Sequence, residues 1–482
     1  MEIESSKTGF KYSLPRTVKD KVVGIAKNAT KIGKDDPRKV VHCAKVGLAL
    51  TLNSLFYYYK PLYDGFGQSG IWAVLTVVVV FEFTVGGTLS KSVNRGCATL
   101  LAVSLGTGVV YLAQLCGHEG QPFFLGIVVF LFAALSTFTR FIPGIKKKYD
   151  YGVVIFILTF SMITVSGYRV EAIVDMAYQR LVTVAIGGST CIIISLLICP
   201  AWAGDDLRDL VAGNIEKLAV SLEGFGNAHF GLGECDEDKG GGKAAAAAAL
   251  VVDCKSVLSS QASEESLATF AWWEIRHCGL TFNPPLKQYL KVGLLARECA
   301  SHILTLSIIF SSFSHPQKEE QRIEMARRIK EPCMLVCSES SKALRELSST
   351  IKTMTHPSPA IEAHLHNSKS AVDDLIEAAL QASSSSSSSM GTNLLLLHIV
   401  PALTVASLLA DLGGCIHNLA NSVVELSEKA HFKKHSLHRG TVNPVQEDET
   451  IVVVIQGGGA SPSQDSPETE SPNVENLDVR YV

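Results

Sequence analysis

The sequence predicts an all-α integral membrane protein, a six-helix transmembrane bundle followed by a cytosolic helical domain. Three observations carry this reading. Six apolar segments, each about the 20 residues a bilayer requires, crowd the first 203 of 482 residues. Beyond residue 203 the pattern becomes amphipathic at helical spacing. Mean hydropathy is +0.24 although 18% of residues are charged, too apolar for an ordinary soluble protein and too charged for a membrane bundle alone.

Residues 1–40 form a basic segment with ten Lys or Arg against five acids. They lack an apolar core, so no cleavable signal peptide is expected. The spans are placed at 41–58, 71–90, 97–116, 122–141, 151–168 and 181–202. The first is the weakest, because it carries His42 and Lys45. A helix satisfies its own backbone in lipid, so the spans read as helices. Gly, Ser and Thr are frequent in them, as close helix packing requires. Cations cluster in the N-terminal segment, in the link with Lys91 and Arg95, and in the link with Arg140, Lys146, Lys147 and Lys148. The positive-inside rule therefore puts these links and both termini in the cytosol. Trp72, Trp202 and Tyr57, Tyr58 and Tyr59 sit at segment ends, where interfacial aromatics are expected.

The transmembrane domain is thus assigned to 41–203 and the cytosolic helical domain to 204–432, with helices opening at 201 and near 254–273, 287–313, 318–354, 358–382 and 393–430. Linkers are expected near 231–249, which includes a Gly/Ala tract, and near 383–392, a serine run. The last helix contains the apolar run 394–410. Its pattern continues amphipathically through Ile416, Leu419, Val423 and Leu426, so a buried bundle helix is preferred to a seventh span. The tail 433–482 reads as disordered, with Ser-Pro pairs at Ser461, Ser466 and Ser471 as candidate phosphorylation positions. The scattered cysteines fit buried thiols rather than a disulfide framework.

Charge inside the spans is the functional signal. Glu82 lies within the second apolar segment, and ionisable groups at bilayer depth face a bundle interior or a water-filled path. On one straight helix Glu82 and Arg95 would be roughly 20 Å apart on opposite faces, so the acid and its cations are not expected to form one ion-paired unit. Lys91 and Arg95 share a face if the helix continues between them. Lys91 reads either as a cation seeking headgroups or as one facing an anion. Arg180 lies on the side of the membrane where cations are scarce, and arginine matches carboxylates bidentately. Arg95, Arg180 and Lys91 are therefore the candidate anion-binding residues. Glu82 is a structural or gating acid, or a proton relay.

Other signals fail. The GFGQSG stretch at 65–70 has no preceding strand, so it is not a nucleotide loop. Cys333 and Cys337 read as helix packing. No catalytic residues, metal site, cofactor or nucleic-acid partner are expected, and the chain does not read as an enzyme.

The stretches DDPRKVVHCAKVGLALTLNSLFYYYKPLYDGFG, WAVLTVVVVFEFTVGGTLSKSVNRG and RFIPGIKKKYDYGVVIFILTFSMITVSGYR, with CPAWAGDDL and KQYLKVG, closely resemble plant aluminium-activated malate transporters. The resemblance covers most of residues 35–310. It implies a homodimer of six-helix subunits in a lipid bilayer, passing malate and other anions along a path lined by Arg95 and Arg180. The family's Trp-Glu-Pro motif appears as Trp273-Glu274-Ile275, so a gating or structural role for Trp273 and Glu274 is implied without the proline. Aluminium activation does not transfer. Glu171 and Asp175 are candidate residues for external cation sensing. The plasma membrane is the expected location, ahead of tonoplast or endomembrane. Two other readings are a proton-coupled exporter of organic or aromatic acids, resembling the fusaric-acid-resistance-like superfamily, and a non-conducting membrane scaffold.

Overall fold

The computed structural model describes residues 16–59, 70–168, 173–230, 240–274, 285–312, 319–385 and 392–433. Glu171, Arg169, Ile275 and the three Ser-Pro serines lie outside them. Among the described residues every regular element is a helix, and a single parallel bridge joins Thr355 to Lys433.

The first layer holds α1 (Arg16–Asp35), α2 (Pro37–Tyr58), α3 (Ile71–Val80), α4 (Val85–Gln114), α5 (Gly117–Thr139), α6 (Pro143–Ser166) and α7 (Ile173–Leu197). Helix α4 packs along α6 and α7, and α3 lies between α2 and α7. Its cores are small: Ala49, Val77, Val80, Phe81, Cys191 and Ile194 form one, and Val110, Ala113, Leu125 and Ile163 another. Most of the remaining apolar surface faces outward. On α5, Phe123, Phe130 and Phe138 are 66–77% exposed. Such a continuous apolar exterior is what lipid, not water, covers.

The second layer holds α8 (Ala203–Phe230), α9 (Gly240–Leu258), α10 (Gln261–Ala271), α11 (Leu286–Ser312), α12 (Glu319–Thr353), α13 (Pro359–Ser385) and α14 (Thr392–Lys429). These helices share one large core, with α8 packed on α12 and α11 on α14. Leu412, Ile416, Leu419, Val423 and Leu426 of α14 are buried in it, as the amphipathic pattern predicts. Cys333 and Cys337 are core residues there too. The Gly/Ala tract expected as linker is instead the first half of α9 from residue 240, because alanine is the strongest helix former.

Among the described residues six helical stretches are long and apolar enough to cross a membrane. Four belong to α4, α5, α6 and α7; the other two, Leu286–Phe310 and Leu403–Lys429, help build the second core. Of the expected spans, 41–58 falls in α2, which carries Arg38, Lys39 and Lys45, and 71–90 is interrupted.

That interruption is the main departure from the sequence reading. The expected spans 71–90 and 97–116, with Lys91 and Arg95 in the link between them, are not what forms. Helix α3 has only ten residues, residues 81–84 leave helical geometry, and α4 then runs unbroken for 30 residues through both cations. Thr84 explains the restart. It is extended (φ −97°, ψ 153°) and its hydroxyl accepts from the Gly87 N–H at 3.2 Å, a side-chain N-cap. The Thr88 hydroxyl in turn accepts from the Glu82 N–H at 3.0 Å.

The contacts between layers fix which helix ends share a side. Arg38 at the start of α2 meets Asp206 of α8 at 2.8 Å. The α4 start meets Glu274 beyond α10. In α6, Lys147 pairs with Glu265 at 3.3 Å and Lys148 lies 4.5 Å from the Trp272 ring. The start of α2 and the cation-rich start of α6 therefore lie on the same side, against the second layer.

Candidate functional site

Helices α4 and α7 carry the cations. Gly188 of α7 lies beside Ser92 of α4, which sets their register. From that level Arg95 is three residues toward the far end of the first layer and Arg180 eight. The two guanidinium-bearing positions are thus staggered by roughly 8 Å along the bundle. Lys91, one turn before Arg95, extends the series by roughly 6 Å toward the second layer.

Both arginines are 3% exposed. Arg95 donates from Nη1 to the Tyr151 hydroxyl at 3.2 Å, and its Nε has no partner. Arg180 lies flat over the indole of Trp72, with Cζ 3.6 Å from the ring centre, and its Nε and Nη1 have no partner. Neither is paired with a carboxylate among the described residues. A buried charge without a counter-charge is strongly unfavourable, and the unpartnered nitrogens leave donors free on both guanidiniums.

Lys91 differs. It pairs with Glu82, and its ammonium lies 5.7 Å from the Tyr151 ring. This corrects the expectation that the acid and its cations stay apart. That expectation assumed one straight helix; the break at 81–84 brings Glu82 alongside the first turns of α4. The pair is about one-third exposed on both sides.

Trp72 and Tyr151 were not singled out as site residues by sequence. Trp72 reads as an interfacial aromatic, yet α3 places it beneath Arg180. Gly187 of α7 explains the proximity: a Cβ there would come within 2.7 Å of the Ala73 carbonyl, so α3 and α7 touch backbone to backbone. Tyr151 lies in a stretch quoted for its family likeness, but only the fold brings it between Lys91 and Arg95.

Glu274 joins the layers. Its Oε1 accepts from the N–H groups of Gly86 (3.0 Å) and Ala203 (2.7 Å), and Oε2 from Gly204 (2.9 Å). These are unsatisfied first-turn donors of α4 and α8, so one carboxylate caps two helices at their positive ends. Burial pushes its pKa up, against the lowering effect of the three N–H donors. Gly86 is required for this approach, since a Cβ would overlap the Phe270 carbonyl and the Glu274 side chain. The Val85 N–H also donates to Ala201 O at 2.8 Å. Trp273 stacks edge-on against Trp272 at 5.2 Å, and its buried Nε1 has no partner.

Asp175 is exposed in the first turn of α7, apart from the arginines. No group of three or more potential metal ligands occurs among the described residues.

An apolar exterior around buried, uncompensated cations defines the class, a multi-pass membrane protein with a cationic interior. The chain belongs to the aluminium activated malate transporter family, whose model matches residues 30–390. It is 43% identical to aluminum-activated malate transporter 2 of Arabidopsis thaliana over 448 residues, 91% of this chain and 86% of that one. It is 41% identical to transporter 7 of the same plant over 442 residues, covering 87% and 85%. To transporter 1 of Triticum aestivum it is 39% identical over 458 residues, 94% of each chain.

Proposed function

We propose that the chain is a malate-permeable channel, passing malate and inorganic anions passively across a plant membrane, with Arg95 and Arg180 contacting the ion. The observation that carries this is the pair of buried guanidiniums with free donors and, among the described residues, no carboxylate paired with them. Guanidinium presents a planar fork that matches a carboxylate. Two sites staggered along the axis allow an ion to bind at one and leave by the next, as conduction requires. Lys91, already compensated by Glu82, contributes more weakly. Passive conduction calls for no cofactor and no catalytic group.

The family pattern supports a homodimer with a shared anion path, and supports the cytosolic assignment of the second layer. The charge bias supports cytosolic termini, in the plasma membrane before tonoplast or endomembrane. Glu274 and Trp273, where the layers meet, are the gating or structural residues of this scheme. Asp175 with Glu171 is the candidate external cation sensor, and Ser461, Ser466 and Ser471 the candidate phosphorylation positions.

Current recording in a heterologous membrane tests the proposal. Malate current should reverse at the anion equilibrium potential. Arg95→Gln and Arg180→Gln should each reduce it more than they reduce surface expression. Equal loss of current and expression demotes both to folding residues. Transport that follows the proton gradient favours the exporter, and no flux from pure protein in liposomes favours the scaffold.

A further inference from the structure

Helix α1 is a structured element that the charge count alone does not reveal, and its sequence is two-sided. Val18, Val22, Ile25, Ala29 and Ile32 recur at steps of four, three, four and three residues. At 100° per residue they fall on one stripe. Arg16, Lys19, Lys21, Lys27, Lys31 and Lys34 stand against only two acids, Asp20 and Asp35. Positions 19 and 21 border the stripe, and 27, 31 and 34 lie opposite it. The stripe is uncovered where it is described: Ile25 is 68% exposed and Ile32 53%. The packing of α1 is against α2, near the corner where Gly33 approaches Val40. Helices in proteins draw most of their stability from packing an amphipathic face, so this apolar stripe needs a cover.

Charge and continuity identify that cover. Asp36, extended at φ −141° and ψ 90°, is the single residue joining α1 to α2. Helix α2 shows Leu48, Leu52 and Leu55 on its exposed outer face, the surface that meets lipid. Its start is tied by Arg38 to Asp206 at 2.8 Å, beside the second layer. Helix α1 therefore begins where the hydrocarbon ends, on the side of the second layer, with an apolar stripe bordered by cations. We propose that α1 lies in the headgroup layer as an in-plane amphipathic anchor that selects anionic phospholipids. Its apolar face enters the acyl boundary while the cations bordering the stripe meet lipid phosphates. Seated there, α1 fixes the height of the α2–α8 corner relative to the bilayer.

Hydrogen exchange of the full-length protein tests this, in nanodiscs of phosphatidylcholine alone and of phosphatidylcholine mixed with phosphatidylglycerol. Peptides covering residues 16–35 should exchange on the order of tenfold more slowly in the anionic discs, and added salt should reverse much of that protection. The Ile25→Glu/Ile32→Glu variant should lose the protection while peptides from α11 exchange as before, which shows the fold intact. Lys19→Gln/Lys21→Gln, at the border of the stripe, should erase the difference between the two lipid compositions. Fast exchange of α1 in both discs overturns the proposal. So does protection equal in both discs and indifferent to salt, since a protein surface such as a second copy of the chain would then be the cover.

Discussion

Replacing Glu274 is the most direct probe of how the two layers hold together. Its carboxylate satisfies three backbone N–H groups from two helices. Leaving a buried donor unsatisfied costs about 1–3 kcal/mol. Each helix N-terminus also loses about 0.3–1 kcal/mol of charge interaction. Glu274 is partly exposed, so water recovers a share of both. Glu274→Ala should therefore destabilise the junction by about 2–4 kcal/mol. Glu274→Gln keeps one oxygen for Gly86 and Ala203 but turns an amide donor toward the Gly204 N–H, so it should fall between alanine and wild type. The assay is thermal unfolding of the purified protein followed by tryptophan fluorescence, because Trp272 and Trp273 adjoin the site. Anion current from the same variants is measured alongside. The expected order of stability is wild type, then glutamine, then alanine. Glutamine as damaging as alanine, or both variants indistinguishable from wild type, refutes the two-helix cap.

Three further outcomes are expected. Glu82→Gln removes a negative charge beside the proposed anion path and should raise anion current, whereas Lys91→Gln should lower it; the same direction for both would refute the paired arrangement, and current recording reads it. Gly293→Ala places a methyl group onto the carboxylate of Glu264, which is fully buried and bonded to Arg297, Asn214 and Ser260, so unfolding should show a loss of about 2–4 kcal/mol. Burial would raise the Glu339 carboxyl, but hydrogen bonds from Lys342, His364 and Asn367 outweigh it and hold the pKa at about 2. Its ionised form is therefore favoured by folding above the ordinary value of 4.5. That stability is lost as pH falls from 4.5 toward 2, and Glu339→Gln should flatten acid unfolding across this window.

Periodicity made four helices of the second layer legible nearly to their boundaries, whereas the helix expected near 254–273 is divided between the end of α9 and α10. The expected helices 287–313, 318–354, 358–382 and 393–430 become Leu286–Ser312, Glu319–Thr353, Pro359–Ser385 and Thr392–Lys429. An amphipathic stripe is a local property, and these helices bury the stripe their sequence shows. The first layer was less legible because an apolar run carries no stripe to date its ends. The break between α3 and α4 is written in Thr84, a capping residue inside a hydrophobic run, yet Gly86 and Gly87 look like the more natural breakers. Those glycines lie inside α4, where Gly86 admits Glu274. Arg95 and Arg180 were visible as charges out of place. Their neighbours Tyr151 and Trp72 were not, since these approach only through long-range packing, and the Lys91–Glu82 pair forms only through the turn at 81–84.

The indole beneath Arg180 has a thermodynamic consequence. An arginine side chain that swings freely carries about 2 kcal/mol of rotamer entropy, which an arriving ion must quench before it is held. With Cζ 3.6 Å above the ring of Trp72 on the tightly apposed α3, that freedom is already gone. In the proposed channel an anion meeting this guanidinium would find a fixed target, with capture and escape set by shape and hydration rather than by the reordering of a flexible arm.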